Sequence, residues 1–142
     1  MSYMPKSKSQ THITPDTIYD IIYDMCGKLK DELYDPCPAH TPYRSPIFFN
    51  GLYGNWKKWN YVNPMYEVST LEMFVKKAVE QSHIGCKTVM LLPAKTDQSW
   101  FHDIILHHHY YIKWIRKRLK FKNNKHHTTG SHFLVVIRNR MK

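Results

Sequence analysis

After Asp103 the chain contains no aspartate or glutamate. Up to that point eleven Lys/Arg balance eleven Asp/Glu, so the ten basic residues that follow carry the whole formal charge of +10. A field segregated in this way attracts polyanions, of which nucleic acid is the commonest, although a plain solvated basic face would give the same count. Nowhere do eighteen apolar residues run together, so no membrane-spanning helix and no membrane partner are expected. The polar stretch from Met1 to Gln10 is followed by no apolar segment, which argues against a secretory signal. Cysteine is scarce as well. Cys26, Cys37 and Cys86 are odd in number and far apart, which suits reduced thiols and an intracellular setting better than a disulfide framework.

What is present is enough for a core. Apolar residues make up 42% of the 142, aromatics 14%, which fits one globular domain. Residues 1–12 read as a disordered lead and 13–142 as the domain. Thr14 is placed to cap a helix, with Pro15 at the first helical position and Asp16 in the first turn. Ile18, Ile21, Ile22, Met25 and Leu29 continue at helical spacing and predict a helix over about 15–30. Leu33 and Tyr34 suggest a short buried strand ending at Asp35-Pro36. Residues 38–58, rich in Pro, Gly, Asn and aromatics, read as a long loop. Trp59 to Val62 is a second strand.

Ser69-Thr70-Leu71-Glu72 has the pattern of a capping box, and Leu71, Phe74, Val75, Ala78 and Val79 mark one helical face before Gly85. Thr88 to Leu92 is a continuous apolar run, as in a strand buried on both faces of a parallel sheet. A helix over about 99–107 and strands over 111–115 and 133–137 complete the reading. The alternation predicts a single α/β domain with helices on the faces of the sheet. In such sheets ligands bind beyond the carboxyl ends of the strands. Asp35, Asn63 and Pro93 each fall at such an end.

The corner Asn63-Pro64-Met65-Tyr66 carries the most specific chemistry. An asparagine side-chain oxygen and the carbonyl of the next proline can together accept both hydrogens of an exocyclic amino group, while a nearby tyrosine stacks on the base. An ordinary Asn-Pro turn with Tyr66 in the core would read the same on these four residues.

The surroundings of the corner resemble a known family. Asn63-Pro64-Met65-Tyr66 is similar to the Asn-Pro-Pro-Tyr motif of amino-group methyltransferases that use S-adenosylmethionine, with Met65 in place of the second proline. More specifically, the chain resembles the phage-type DNA N6-adenine methyltransferase (Dam) family over nearly all of Thr14 to Arg138. Thr14-Pro15, Leu33-Tyr34-Asp35-Pro36-Cys37 and Gly51-Leu52 with Trp56 carry the likeness in the family's order. So do Leu91-Leu92-Pro93-Ala94-Lys95-Thr96-Asp97 and Trp100-Phe101-His102-Asp103, the most specific stretch. Arg118-Leu119-Lys120-Phe121 matches a further strand, with Lys117 where the family usually has glycine.

The resemblance implies a minimal Rossmann-like methyltransferase sheet. It also implies S-adenosylmethionine as cofactor, DNA, expected double-stranded, as partner, and methyl transfer to a flipped adenine. It assigns catalysis to Asn63, Pro64 and Tyr66. Cofactor contacts fall to Thr14, Pro15, Asp35, Pro36, Asn63 and Pro93, with Asp35 facing the cationic methionine end. Because the family is mostly encoded by phages and other viruses, it also implies a virus-encoded protein acting in a host cell. Met65 and the glycine-poor stretch after Asp35 leave an alternative: a catalytically inactive nucleic-acid-binding relic of the same fold.

The basic residues Lys113, Arg116, Arg118, Lys120, Lys122 and Lys125 interleave with Tyr111, Trp114 and Phe121, which suits a surface that tracks phosphates. Lys95, after a strand end, is a further candidate for nucleic-acid contact or a plain capped turn. Trp100 and Phe101 read as core. Adjacent histidines at 107–109 and 126–127 lack the spacing of a tetrahedral centre, so no metal is expected. No separate target-recognition segment is visible, which leaves loops, a homo-oligomer or a partner chain as sources of specificity.

Overall fold

A computed structural model describes residues 12–38, 51–64, 67–122, 124–128 and 130–139. Four strands form one mixed sheet in the order β1-β2-β4-β3: β1 is Trp59–Val62, β2 Lys87–Pro93, β3 Tyr111–Trp114 and β4 His132–Ile137. β1 runs parallel to β2, while β4 is antiparallel to both β2 and β3. The run read as Thr88 to Leu92 is therefore buried on both faces as expected, yet parallel to its neighbour on one side only. The strand expected at Leu33-Tyr34 shrinks to a single parallel bridge. Tyr34 N–H donates to Trp59 O at 3.1 Å, and Tyr61 N–H donates to Tyr34 O at 2.9 Å.

Alternation along the strands sends side chains to two separate cores. On one face Val62, Met90, Leu92 and Val135 pack against Leu71, Phe74, Val75 and Ala78 of helix α2, Val68–Ser82. Trp100 and Phe101 join this core, in line with their reading as packing residues. On the other face Tyr61, Val89, Leu91, Leu134 and Val136 pack against Ile18 and Ile22 of helix α1, Asp16–Cys26, with Leu119 and Phe121. Helices thus cover both faces of the sheet. Burial of each such aliphatic side chain contributes about 1.5–3 kcal/mol.

Several boundaries differ from expectation for local reasons. α1 ends at Cys26 rather than near 30, because Gly27 takes a left-handed φ of 71° and donates its N–H to Tyr23 O. α2 begins at Val68 with Glu67 at its cap. No capping box forms on Ser69, whose hydroxyl donates to the Glu67 carboxylate instead. The helix expected over 99–107 does begin at Ser99, but after residues 99–100 it continues as a π-helix, Phe101–Leu106. Residues 118–121 are irregular rather than a strand.

Lys117 adopts a φ of 66°, a left-handed conformation that costs an L side chain about 1–2 kcal/mol. Glycine, which the resemblance leads one to expect here, would adopt this conformation without that cost. Lys117→Gly is expected to raise stability by about 0.5–1 kcal/mol, after subtracting glycine's greater freedom in the unfolded chain. A urea midpoint that stays unchanged or falls would contradict this.

Candidate active site

The parallel strands direct their carboxyl ends to one edge of the sheet. There Asp35 follows the Tyr34 bridge, Asn63-Pro64 follows β1, and Pro93 ends β2. Asn63 is 3% exposed, and Pro64 is also buried. The Asn63 side-chain nitrogen donates to the His12 carbonyl at 2.8 Å and lies 3.3 Å from Thr14 Oγ1. A backbone carbonyl can only accept, so His12 fixes which end of the amide is nitrogen. The amide oxygen is turned the other way. The corner thus holds an amide of fixed orientation at the end of β1.

Thr14 reaches this site by a route that its neighbours in sequence conceal. It does not cap α1. Pro15 occupies the cap position with extended ψ of 148°, and Asp16 is the first helical residue. The Thr14 hydroxyl instead lies 2.7 Å from Tyr61 Oη, 47 residues away, and beside Asn63. The ring of Tyr19 of α1 tilts against that of Tyr61 at 5.3 Å. Burial, more than any other influence, raises the Tyr19 hydroxyl above its ordinary pKa, so it stays protonated as a donor. Thr14→Val keeps the shape and removes the hydroxyl shared by Tyr61 and Asn63. Stability should fall by about 1–2 kcal/mol in chemical denaturation. A midpoint equal to wild type would show that the shared hydroxyl contributes nothing.

Asp35 lies half-buried, with Oδ1 accepting the Cys37 N–H at 2.8 Å. Burial pushes its carboxyl up to about 6, against the opposing pull of that N–H and of the Lys30 charge. Among the described residues it forms no ion pair. Its charge acts on Tyr19, whose ring packs on Tyr61, the partner of Thr14. Pro36 beside it is buried. Asp35, Thr14 and Asn63 thus belong to one connected edge, as the positions of the strand ends imply.

The opposite wall is aromatic. Pro93 is buried and pairs with His132, and the Lys95 N–H turns back onto Pro93 O at 2.8 Å. His12 stacks on Phe121 with centroids 4.5 Å apart and planes 11° from parallel. Burial lowers the pKa of His12, and burial first, then the charges of His12 and Lys95, takes His132 down to about 4. Both rings are therefore neutral at pH 7 and act as flat apolar wall rather than as cations.

His12, Tyr19, Tyr61, Phe121 and His132 were not singled out for this site by sequence. Only Tyr61 carried a usable signal: it stands two residues before Asn63 and so shares its face of the strand. Met65 and Tyr66 lie outside the described residues, as does the stretch 39–50 of the long loop.

The predicted nucleic-acid residues are spread along one approach. Lys95 is exposed in the turn after Pro93, and Lys113 is exposed on the edge strand β3. Arg116, Arg118, Lys120 and Lys125 are exposed in the irregular segment that follows. Arg116, Arg118 and Lys120 line a groove of about 370 Å³ shared with Pro15, Thr17 and Ile18 of the α1 entrance. Lys122 differs from the rest: its ammonium pairs with Asp16 at 2.6 Å, and its N–H bonds Ile13 O, tying the basic segment to the site. No group of three His, Cys, Asp or Glu among the described residues is arranged to hold a metal. No described helix is long and apolar enough to cross a membrane.

A family model described as DNA N-6-adenine-methyltransferase (Dam) matches residues 1–136. No curated protein and no solved structure matches the chain.

Proposed function

The chain belongs to the DNA N-6-adenine-methyltransferase (Dam) family, and we propose that it methylates a flipped adenine of double-stranded DNA, using S-adenosylmethionine. The observation that carries this reading is the buried Asn63, whose amide orientation is fixed by the His12 carbonyl. The parallel pairing of β1 with β2, with Asp35, Asn63 and Pro93 at one edge, supports a minimal Rossmann-like arrangement.

The adenine amino group is a weak nucleophile, because its lone pair is delocalised into the ring. Asn63 Oδ1 and the Pro64 carbonyl accept its two hydrogens and hold the nitrogen in line for attack. As the nitrogen gains the methyl group it becomes cationic, and the same two acceptors stabilise that developing charge. The proton then leaves to solvent, so no strong base is required. Tyr66 is read as the stacking platform for the base. His12 and Phe121 supply further flat, apolar surface beside Asn63. The exposed arginines and lysines from 113 to 125 follow the phosphate backbone toward this edge.

The residues at the edge fit the cofactor. When bound, S-adenosylmethionine supplies an electrophilic methyl group on a cationic sulfonium, together with a methionine ammonium. Asp35 is a half-buried carboxyl without an ion-pair partner among the described residues, which suits a site completed by a ligand cation. Pro36 and Pro93 wall the same edge with rigid apolar surface, and Thr14 closes it from the α1 side.

The replacement of the motif's second proline by Met65 favours one other reading, a DNA-binding relic. Isothermal titration calorimetry with S-adenosylmethionine, with and without an adenine-containing duplex, separates the two. Micromolar affinity is the expected result. Salt-sensitive DNA binding with no cofactor affinity in either condition would favour the relic.

A further inference from the structure

A cavity of about 590 Å³ opens at the edge of the sheet opposite Asn63. Trp59, the first residue of β1, and Arg138, just after β4, lie in its wall. With about 3.3 Å per strand residue, the length of β1 separates this wall from Asn63 by roughly 13 Å. It is a different place from the methyl-transfer edge, and nothing above uses it.

Its lining is aromatic and basic. Trp59, Tyr110 and Tyr111 offer ring surface, and His108 stacks on Tyr110 at 5.2 Å with planes 11° apart. None of the described residues lining the cavity is acidic. Arg138 supplies the basic part of the lining; outside it, Lys28 and Lys87 bring their ammonium groups to 5.6 and 5.5 Å from the centroid of the Trp59 ring. Burial, and after it the like charges of Arg138, Lys58 and Lys28, lower the pKa of Lys87. None of the four forms an ion pair with a described residue.

Like charges beside an aromatic wall are unfavourable until an anion arrives. The volume is that of a small-molecule site, for which about 300–1,000 Å³ is usual. A planar ring for Trp59 and the tyrosines, joined to a phosphate for Arg138, satisfies both halves of the lining, and Lys87 stands beside it at the Trp59 ring. We infer that this cavity is a second, non-catalytic nucleotide site, with the ring against Trp59 and the phosphate held by Arg138 and Lys87. The same chemistry is offered by a free nucleotide and by one nucleotide of a strand. The inference does not depend on methyl transfer.

The test titrates the full chain with thymidine 5′-monophosphate, thymidine and a thymidine tetranucleotide, followed by calorimetry. Thymine has no exocyclic amino group and so avoids the adenine corner. The monophosphate should bind at least tenfold more tightly than thymidine. Arg138→Gln and Lys87→Gln should each weaken it at least fivefold while leaving S-adenosylmethionine affinity unchanged, and Asn63→Ala should leave it intact. If the monophosphate binds no better than thymidine but the tetranucleotide loses affinity in both variants, the same site takes a nucleotide within a strand. Binding of monophosphate and tetranucleotide that is absent, or insensitive to both substitutions, would overturn the inference.

Discussion

Replacing Asn63 by alanine is expected to reduce the rate of methyl transfer by about 10²–10³-fold, the usual loss when one preorganised partner of a developing charge is removed. The side chain has two duties. Its nitrogen donates to the His12 carbonyl and faces Thr14, which holds the corner together; its oxygen is assigned, in the proposed reaction, to the adenine amino group. Alanine removes both, so some stability is lost along with the rate. The two effects separate by temperature: an assay well below the melting midpoint reads only the chemistry. S-adenosylmethionine affinity should change far less than the rate, because the amide acts mainly on the nucleophile. A folded variant with wild-type turnover would sink the assigned role of Asn63.

Asp35→Asn is the second substitution with a large consequence. The amide keeps an oxygen for the Cys37 N–H but carries no charge, and S-adenosylmethionine affinity should fall about 10–100-fold if the carboxylate faces the cofactor's cations. The pH dependence gives a sharper signature. With the Asp35 carboxyl pushed up to about 6, it is largely ionised at pH 7 and largely neutral at pH 5. Wild-type affinity should therefore drop about tenfold between those values, while the variant stays flat. His132, taken down to about 4, stays neutral across this window.

Stability should move in the opposite sense. A carboxyl whose folded pKa lies above its unfolded value binds its proton more tightly in the folded chain. Its contribution to stability is present below about pH 4 and lost as pH rises through 6. Asp35→Asn should thus melt higher than wild type at pH 7.5, and the gap should close near pH 4. A variant that binds cofactor like wild type at both pH values would remove Asp35 from the cofactor site.

What could be read from the sequence was mostly local. β1 was legible as Trp59–Val62 because an aromatic and β-branched run stops at Asn-Pro, and β2 because its apolar run is too short for a helix. The convergence of Asp35, Asn63 and Pro93 followed from strand polarity alone. The missed features depend on residues far apart in the chain. Thr14 carries every local mark of a helix cap, yet a tyrosine 47 residues away recruits its hydroxyl. The insertion of antiparallel β4 between β2 and β3 is a pairing choice that no periodicity encodes. His12 stands in a segment with no pattern at all, and only its carbonyl bond to Asn63 and its stacking on Phe121 reveal a role. Gly27 was a local signal overlooked, since the apolar period runs on through Leu29, which is exposed.

The most direct test of the account is mass spectrometry of the nucleosides from duplex DNA incubated with the protein and S-adenosylmethionine. N6-methyldeoxyadenosine should appear with the wild-type chain and be nearly absent with Asn63→Ala. Duplex that is bound but yields no methylated adenine, under conditions where the cofactor also binds, would contradict it.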